Sequence, residues 1–182
     1  MNSSRTKKIV SGALMAALTA AATMLIHIPS AFNGYIHLGD GMVLLSGMLL
    51  GPLTGAAAGG IGSMLADLLS GYAFYAPATF VIKALAAFLS GYLYRRLSHG
   101  SQTARFRLIP FLAAGIASGA AVTGGYFIFE LIVYSRPAAM ANIPFNLVQN
   151  AFSLIVAGSL LPFLLRSREI RSLGFAEDPG SL

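Results

Sequence analysis

Apolar residues fall in six runs: Ile9–Ile28, Gly39–Leu50, Leu53–Leu69, Ala76–Leu93, Leu108–Val133 and Pro144–Leu165. Between them lie Pro29-Ser30, Gly51-Pro52, Ser70-Gly71, Ser98–Arg107 and Ser135–Asn142, rich in the residues that end regular structure. Runs of 17 or more apolar residues suit membrane helices, because a helix satisfies its own backbone hydrogen bonds in lipid. The pattern predicts an all-α integral membrane protein: one domain, 1–182, of six transmembrane helices, with 166–182 as a tail. The second run is short. Its 12 residues cover about 18 Å, against a hydrocarbon core of roughly 30 Å. It is either a short helix buried among the others or half of a re-entrant hairpin over 39–71.

Composition agrees. Of 182 residues, 56% are hydrophobic and 10% charged, and mean hydropathy is +0.74. The net charge of +6 in a soluble protein would suggest nucleic acid. Here the charge sits at helix ends, so no nucleic-acid partner is expected and membrane lipid is. Arg5, Lys7 and Lys8 precede the first run; Arg95, Arg96, Arg105 and Arg107 lie between the fourth and fifth; Arg166, Arg168 and Arg171 follow the sixth. With six crossings, these ten of twelve basic residues share one side, which the positive-inside rule makes cytoplasmic, termini included. The basic N-terminus followed by an apolar run also resembles a signal peptide, but the run's length favours a retained span. Cys is absent, so there is no disulfide, thiolate metal site or cysteine nucleophile.

Small residues form stripes. In the first run Gly12, Ala16 and Ala20 repeat at i+4, and so do Ala13, Ala17 and Ala21. Small-xxx-small faces let helices approach closely in lipid; one stripe is expected to serve the chain and the other a partner. Gly51, Gly55, Gly59, Ser63, Asp67 and Gly71 form a second ladder, drifting about 40° per step. Gly115, Gly119 and Thr123 form a third.

Ionisable residues at membrane depth are costly and so mark candidate sites. Asp40, Asp67, Lys83 and Glu130 are such residues, and Lys83 is expected to snorkel outward or to pair with Asp67 or Glu130. Tyr72, Tyr75, Asn146, Gln149 and Asn150 fall in the same outer half. Positions 142, 146, 149, 150 and 153 share one helical stripe. The loop PSAFNGYIHL, with Phe32, Asn33, Tyr35 and His37, reads as an interfacial belt or a ligand lid. His27 and His37 lack metal-site company. A pore would carry polar lining through its depth. An intramembrane enzyme would need a nucleophile with its base or a metal cluster, and neither spacing is present. A blind, outward-facing pocket for a small polar molecule fits better. Its expected ligands are Asp67, Tyr72, Tyr75, Lys83, Glu130, Asn146, Gln149, Asn150, His37 and Asp40, with no cofactor.

Six spans, the alanine stripe and the run HLGDG…GPLTGAAAGGIGSMLADLLSGYAFYAPATFVIK resemble the S components of energy-coupling-factor (ECF) vitamin transporters, in the riboflavin-type or hydroxymethylpyrimidine/pyridoxine-type branch. The resemblance implies a prokaryotic plasma-membrane protein that captures a vitamin outside. It then docks through the first-span stripe on a T component coupled to two cytoplasmic ATPases. No Walker motif is present, in keeping with hydrolysis by partners. Acids, a Lys, Tyr and amides without Trp suit pyridoxine or hydroxymethylpyrimidine, with riboflavin the alternative. The rival class is an autonomous secondary transporter or a helix-bundle scaffold. Inverted repeats would favour a transporter, and the second half has nothing like 51–71.

Overall fold

The computed structural model describes residues 3–25, 28–29, 35–98 and 106–167. Six helices account for most of them: α1 (Ser3–Leu25), α2 (Gly39–Leu50), α3 (Pro52–Leu69), α4 (Ala76–Ser98), α5 (Leu108–Val133) and α6 (Arg136–Leu164). Between α1 and α2, β1 (Ile28–Pro29) and β2 (Tyr35–Ile36) make a two-residue antiparallel pair. Phe32 and Asn33, expected in the belt or lid, and His27 lie outside the described residues, as does most of the 166–182 tail.

Three boundaries differ from the sequence pattern, and one is α4, which runs past Leu93 to Ser98. Ile28, counted in the first apolar run, lies in β1, and the described part of α1 ends at Leu25. The expected break at 135–142 is helical: α6 begins at Arg136, eight residues before Pro144. Ser135 caps it by accepting from the Ala138 N–H at 3.5 Å, and Pro137 sits in the first turn, where its missing N–H costs nothing. Pro144 and Pro162 lie within the helix.

Four helices, α1, α4, α5 and α6, are long and apolar enough to cross a membrane. They carry exposed large side chains such as Ile9, Val81, Ile109, Ile132 and Phe163. In water such surface would be an aggregation liability; facing lipid it is the expected solvent contact. The twelve-residue α2 lies at the centre, packed against α1, α3, α4 and α6, with every residue but Met42 and Leu50 buried.

Close approach makes this arrangement possible. A Cβ on Gly55 would stand 2.5 Å from the Gly47 Cα, and one on Gly91 would stand 2.5 Å from the Gly47 carbonyl oxygen. α2, α3 and α4 therefore cross backbone to backbone near one end. Gly51 joins α2 to α3 at φ +88, with the Arg95 guanidinium lying where a side chain would go. Ser46 donates to the Val43 and Gly55 carbonyls at 2.8 and 3.0 Å, and Ser90 to Ala87 and Leu44 at 2.9 and 3.2 Å. Beside this crossing, Leu44, Leu45, Met48, Tyr94, Phe111 and Leu161 form an apolar core.

Asp40 meets Lys83, Gly47 meets Gly91 and Gly51 meets Arg95, so α2 and α4 run parallel with α3 reversed between them. The bundle is electrically polar as a result. Arg5, Lys7, Lys8, Arg95, Arg96, Arg107 and Arg166 collect at one end. Asp40, Asp67, Lys83 and Glu130 are buried toward the other.

Candidate functional site

Asp40 occupies the first turn of α2, where the helix dipole favours an anion. It is 4% exposed. Lys83, wholly buried on α4, donates to Asp40 Oδ1 at 2.6 Å. This corrects the expected partners: Lys83 neither snorkels nor joins Asp67 or Glu130. The placement of α2 in the bundle centre brings Asp40 to it across 43 residues. Gln149 on α6 donates to Asp40 Oδ2 at 2.7 Å, and its own Oε1 accepts from the His37 N–H at 3.2 Å. His37 Nδ1 accepts from the Gly39 N–H at 3.1 Å, leaving Nε2 4.0 Å from Asp40. A carboxylate, an ammonium, an amide and an imidazole thus tie α2, α4, α6 and the segment after β2 together. The Lys83 ammonium also lies 5.1 Å from the Tyr126 ring centroid, and Tyr126 hydrogen-bonds Thr79 at 3.0 Å.

Beside this network is a shallow cleft between α2, α5 and α6. Asp40, Ser118, Asn150 and Ser153 supply its polar lining; Val43, Leu44 and Val122 its apolar walls; Gly115 and Gly119 a flat side. Asn150 Nδ2 donates to the Gly119 carbonyl at 3.0 Å and to Thr123 Oγ1 at 2.9 Å. Asn146, one turn earlier, is half-buried.

The remaining predicted residues form a second group at the same end. Glu130 is buried and accepts from Asn142 Nδ2 at 2.9 Å. Tyr75 packs on Phe129 with centroids 5.2 Å apart, and on Phe74 and Tyr134 at 6.2 and 6.3 Å. Burial pushes the Tyr75 phenol above its ordinary range, and the charges of Glu130 and Asp67 push it the same way. Asp67 is buried in the last turn of α3 and its carbonyl accepts from the Tyr72 N–H at 2.8 Å; Tyr72 is half-buried. Sequence reasoning missed Ser118, which sits one residue before Gly119 in the small ladder and so looked like packing. It also missed Tyr126 as a support for Lys83, although their helical positions were legible.

The two stripes of α1 separate. Ala16 is buried and Gly12 and Ala20 half-buried toward α3, where a Cβ on Gly62 would run into the Ala16 carbonyl. Ala13, Ala17 and Ala21 are exposed. Among the described residues, no group of three His, Cys, Asp or Glu could hold a metal ion.

Four long apolar helices with buried polar groups among them are the pattern of a multi-pass membrane protein. The family profile described as ECF-type riboflavin transporter, S component, matches residues 3–166, nearly the whole chain, and the chain belongs to that family. It is a family of transporter subunits, not of enzymes, whose S components work with a T component and ATPases. The chain is 32% identical over 147 residues to an uncharacterized protein of Pyrococcus woesei, covering 80% of this chain and 93% of the relative. It is 25% identical over 169 residues to the thiamine precursor transporter HmpT of Lactococcus lactis, covering 92% of this chain and 93% of that one.

Proposed function

We propose that this chain captures a small hydroxylated heteroaromatic vitamin or precursor, of pyridoxine or hydroxymethylpyrimidine type, at the outer face of the plasma membrane. It delivers the ligand inward through a T component and two ATPases. The observation that carries this reading is the cleft beside Asp40: a few placed polar groups in apolar walls, the pattern of small-molecule sites. The likeness to a thiamine precursor transporter favours the smaller ligands. Riboflavin is the second reading, because the family profile bears its name. In this proposal all six helices cross, with both termini cytoplasmic. Asp40, Lys83, Gln149, Asn150 and His37 form the ligand floor, and Asp67, Tyr72, Tyr75, Glu130 and Asn146 the rim. The exposed Ala13, Ala17 and Ala21 stripe meets the T component.

Mass spectrometry of ligand co-purified with the detergent-solubilised protein, followed by titration with hydroxymethylpyrimidine, pyridoxine and riboflavin, tests the ligand. Binding of none of the three would overturn capture. Topology is tested by cysteines at Ser135 and Thr54 in the native Cys-free chain. An impermeant thiol reagent on intact cells should label the first and spare the second. Labelling at Thr54 would favour the re-entrant hairpin.

A further inference from the structure

We infer that His37 is an acid-released tie: its neutral imidazole fastens the end of β2 and the start of α2 to α6, and taking up a proton lets that junction go. The inference needs no ligand and stands apart from the capture reading.

Three contacts build the tie. α2 begins at Gly39, and Leu38 before it supplies no side-chain acceptor for the N–H groups that the first turn leaves open. His37 supplies one instead: its Nδ1 accepts from the Gly39 N–H at 3.1 Å. Its backbone N–H donates to Gln149 Oε1 at 3.2 Å, so the residue that follows β2 joins α2 to α6. Its Nε2 stands 4.0 Å from Asp40 Oδ1, an oxygen that also accepts from Lys83 at 2.6 Å. The residue is 6% exposed. An imidazole nitrogen accepts a hydrogen bond only while it carries no proton. The bonded ring is therefore the neutral tautomer with its hydrogen on Nε2.

A proton on Nδ1 would face the Gly39 N–H, donor against donor. It would also place a cation at the positive end of the α2 dipole and away from water. One neighbour favours the cation, the Asp40 carboxylate, but Lys83 already meets its charge and Gln149 donates to its other oxygen at 2.7 Å. Among the described residues, the other elements bring neutral groups or reach the ring only through Lys83. Gln149 faces it from α6, and the Thr23 hydroxyl of α1, which donates to the Thr19 carbonyl at 2.8 Å, lies on the same side of Gly39 as Nδ1. β1 offers Ile28 and Pro29, and α5 approaches with Tyr126, whose ring lies 5.1 Å from the Lys83 ammonium. Three costs against one gain make release the response to acid. The tie holds above the ordinary imidazole range, about 6.5, and is lost as pH falls below it. In the proposed topology this end faces outward, so the tie would answer to acidity outside.

Hydrogen exchange read by mass spectrometry on the intact, detergent-solubilised, ligand-free chain tests this. Rates are taken at about pH 7.5 and about pH 5.5, either side of the ordinary imidazole range, each divided by the intrinsic rate at that pH. The His37 and Gly39 amides should lose about tenfold in protection, the shift produced one unit below about 6.5 by a proton that only the released ring binds. Amides at the Gly47–Gly55 crossing should keep theirs. His37→Asn offers the Gly39 N–H a carbonyl oxygen that does not titrate, so it should remove the acid loss. Unchanged or greater protection in acid overturns the inference, since it would mean that Asp40 retains the protonated ring. A loss shared equally by the crossing overturns it as general unfolding, and so does an equal acid loss in a folded His37→Asn protein. The first two outcomes need only the parent chain, so a variant that does not fold leaves the test standing.

Discussion

The two ends of the bundle are held by different physics. At the basic end, α2, α3 and α4 touch through Gly47, Gly55 and Gly91, with Leu45, Met48 and Tyr94 packed alongside. There close backbone approach holds the helices, with the Ser46 and Ser90 hydroxyls bonded to carbonyls of neighbouring helices. At the opposite end, the same α2 begins with a carboxylate clamped by Lys83 and Gln149. A buried ion pair adds little net stability compared with well-packed apolar groups, yet breaking it is expensive. One end is thus specified by how little is there, and the other by groups that stability alone would not select. That asymmetry is why the end with the buried charges is the candidate for function.

The largest test breaks the outer end. Lys83→Met leaves Asp40 buried without its cation and should lower stability by about 3–5 kcal/mol. The double variant Lys83→Met/Asp40→Asn should recover much of the loss. Thermal unfolding in one detergent measures both; a silent single variant would mean that the pair carries no stability. Next comes the basic end. Gly55→Val drives a side chain into the Gly47 backbone and should cost about 1–3 kcal/mol or more. A fully stable Gly55→Val would show that the helices can separate freely there.

The third test sharpens the split within the outer end. Asn150→Ala should cost about 1–3 kcal/mol of ligand affinity, since it unpairs groups at the cleft wall, with a smaller change in melting temperature without ligand. If Lys83→Met, Glu130→Gln and Asn150→Ala each destabilise the ligand-free protein yet bind as tightly as the parent, the ligand site lies elsewhere. The smallest stability effect is expected on α1. Ala17→Trp projects outward and should shift stability by less than about 0.5 kcal/mol while abolishing uptake by the full transporter. Ala16→Trp, facing α3, should disturb the fold itself. Normal uptake by Ala17→Trp would rule out the exposed stripe as the docking face.

Helices were largely legible, because apolar run length and Gly-Pro punctuation are local properties. Even the twelve-residue α2 was delimited, and a short buried helix was one of its two readings. The start of α6 was not legible. Ser135-Arg-Pro looks like a loop until it is seen that Pro137 occupies a first turn and Ser135 caps it. That buried charged residues gather toward one end could be read from the cost of charge in lipid; that they hold a ligand is the proposal made above. The pairing could not be read. Asp40 and Lys83 are joined because α2 sits at the bundle centre, where Gly47 closely approaches Gly55 and Gly91 on neighbouring helices. The two α1 stripes carried equal weight as patterns of small residues. Which one faces α3 is settled by the rotation of a helix, and no periodicity of Ala and Gly fixes that angle.

The shortness of α2 has a consequence for how the protein responds to its bilayer. A twelve-residue helix spans about 18 Å, and exposed to lipid it would force the membrane to thin. It is ringed instead by α1, α3, α4 and α6, so protein rather than acyl chains absorbs the mismatch. On the proposal that Asp40 on α2 anchors the ligand, affinity should then be nearly indifferent to acyl-chain length in reconstituted vesicles. Transport should not be, because α1 presents Ala13, Ala17 and Ala21 directly to the surroundings through which a partner must approach. Membrane thickness would act on this molecule as a control of assembly, leaving recognition untouched.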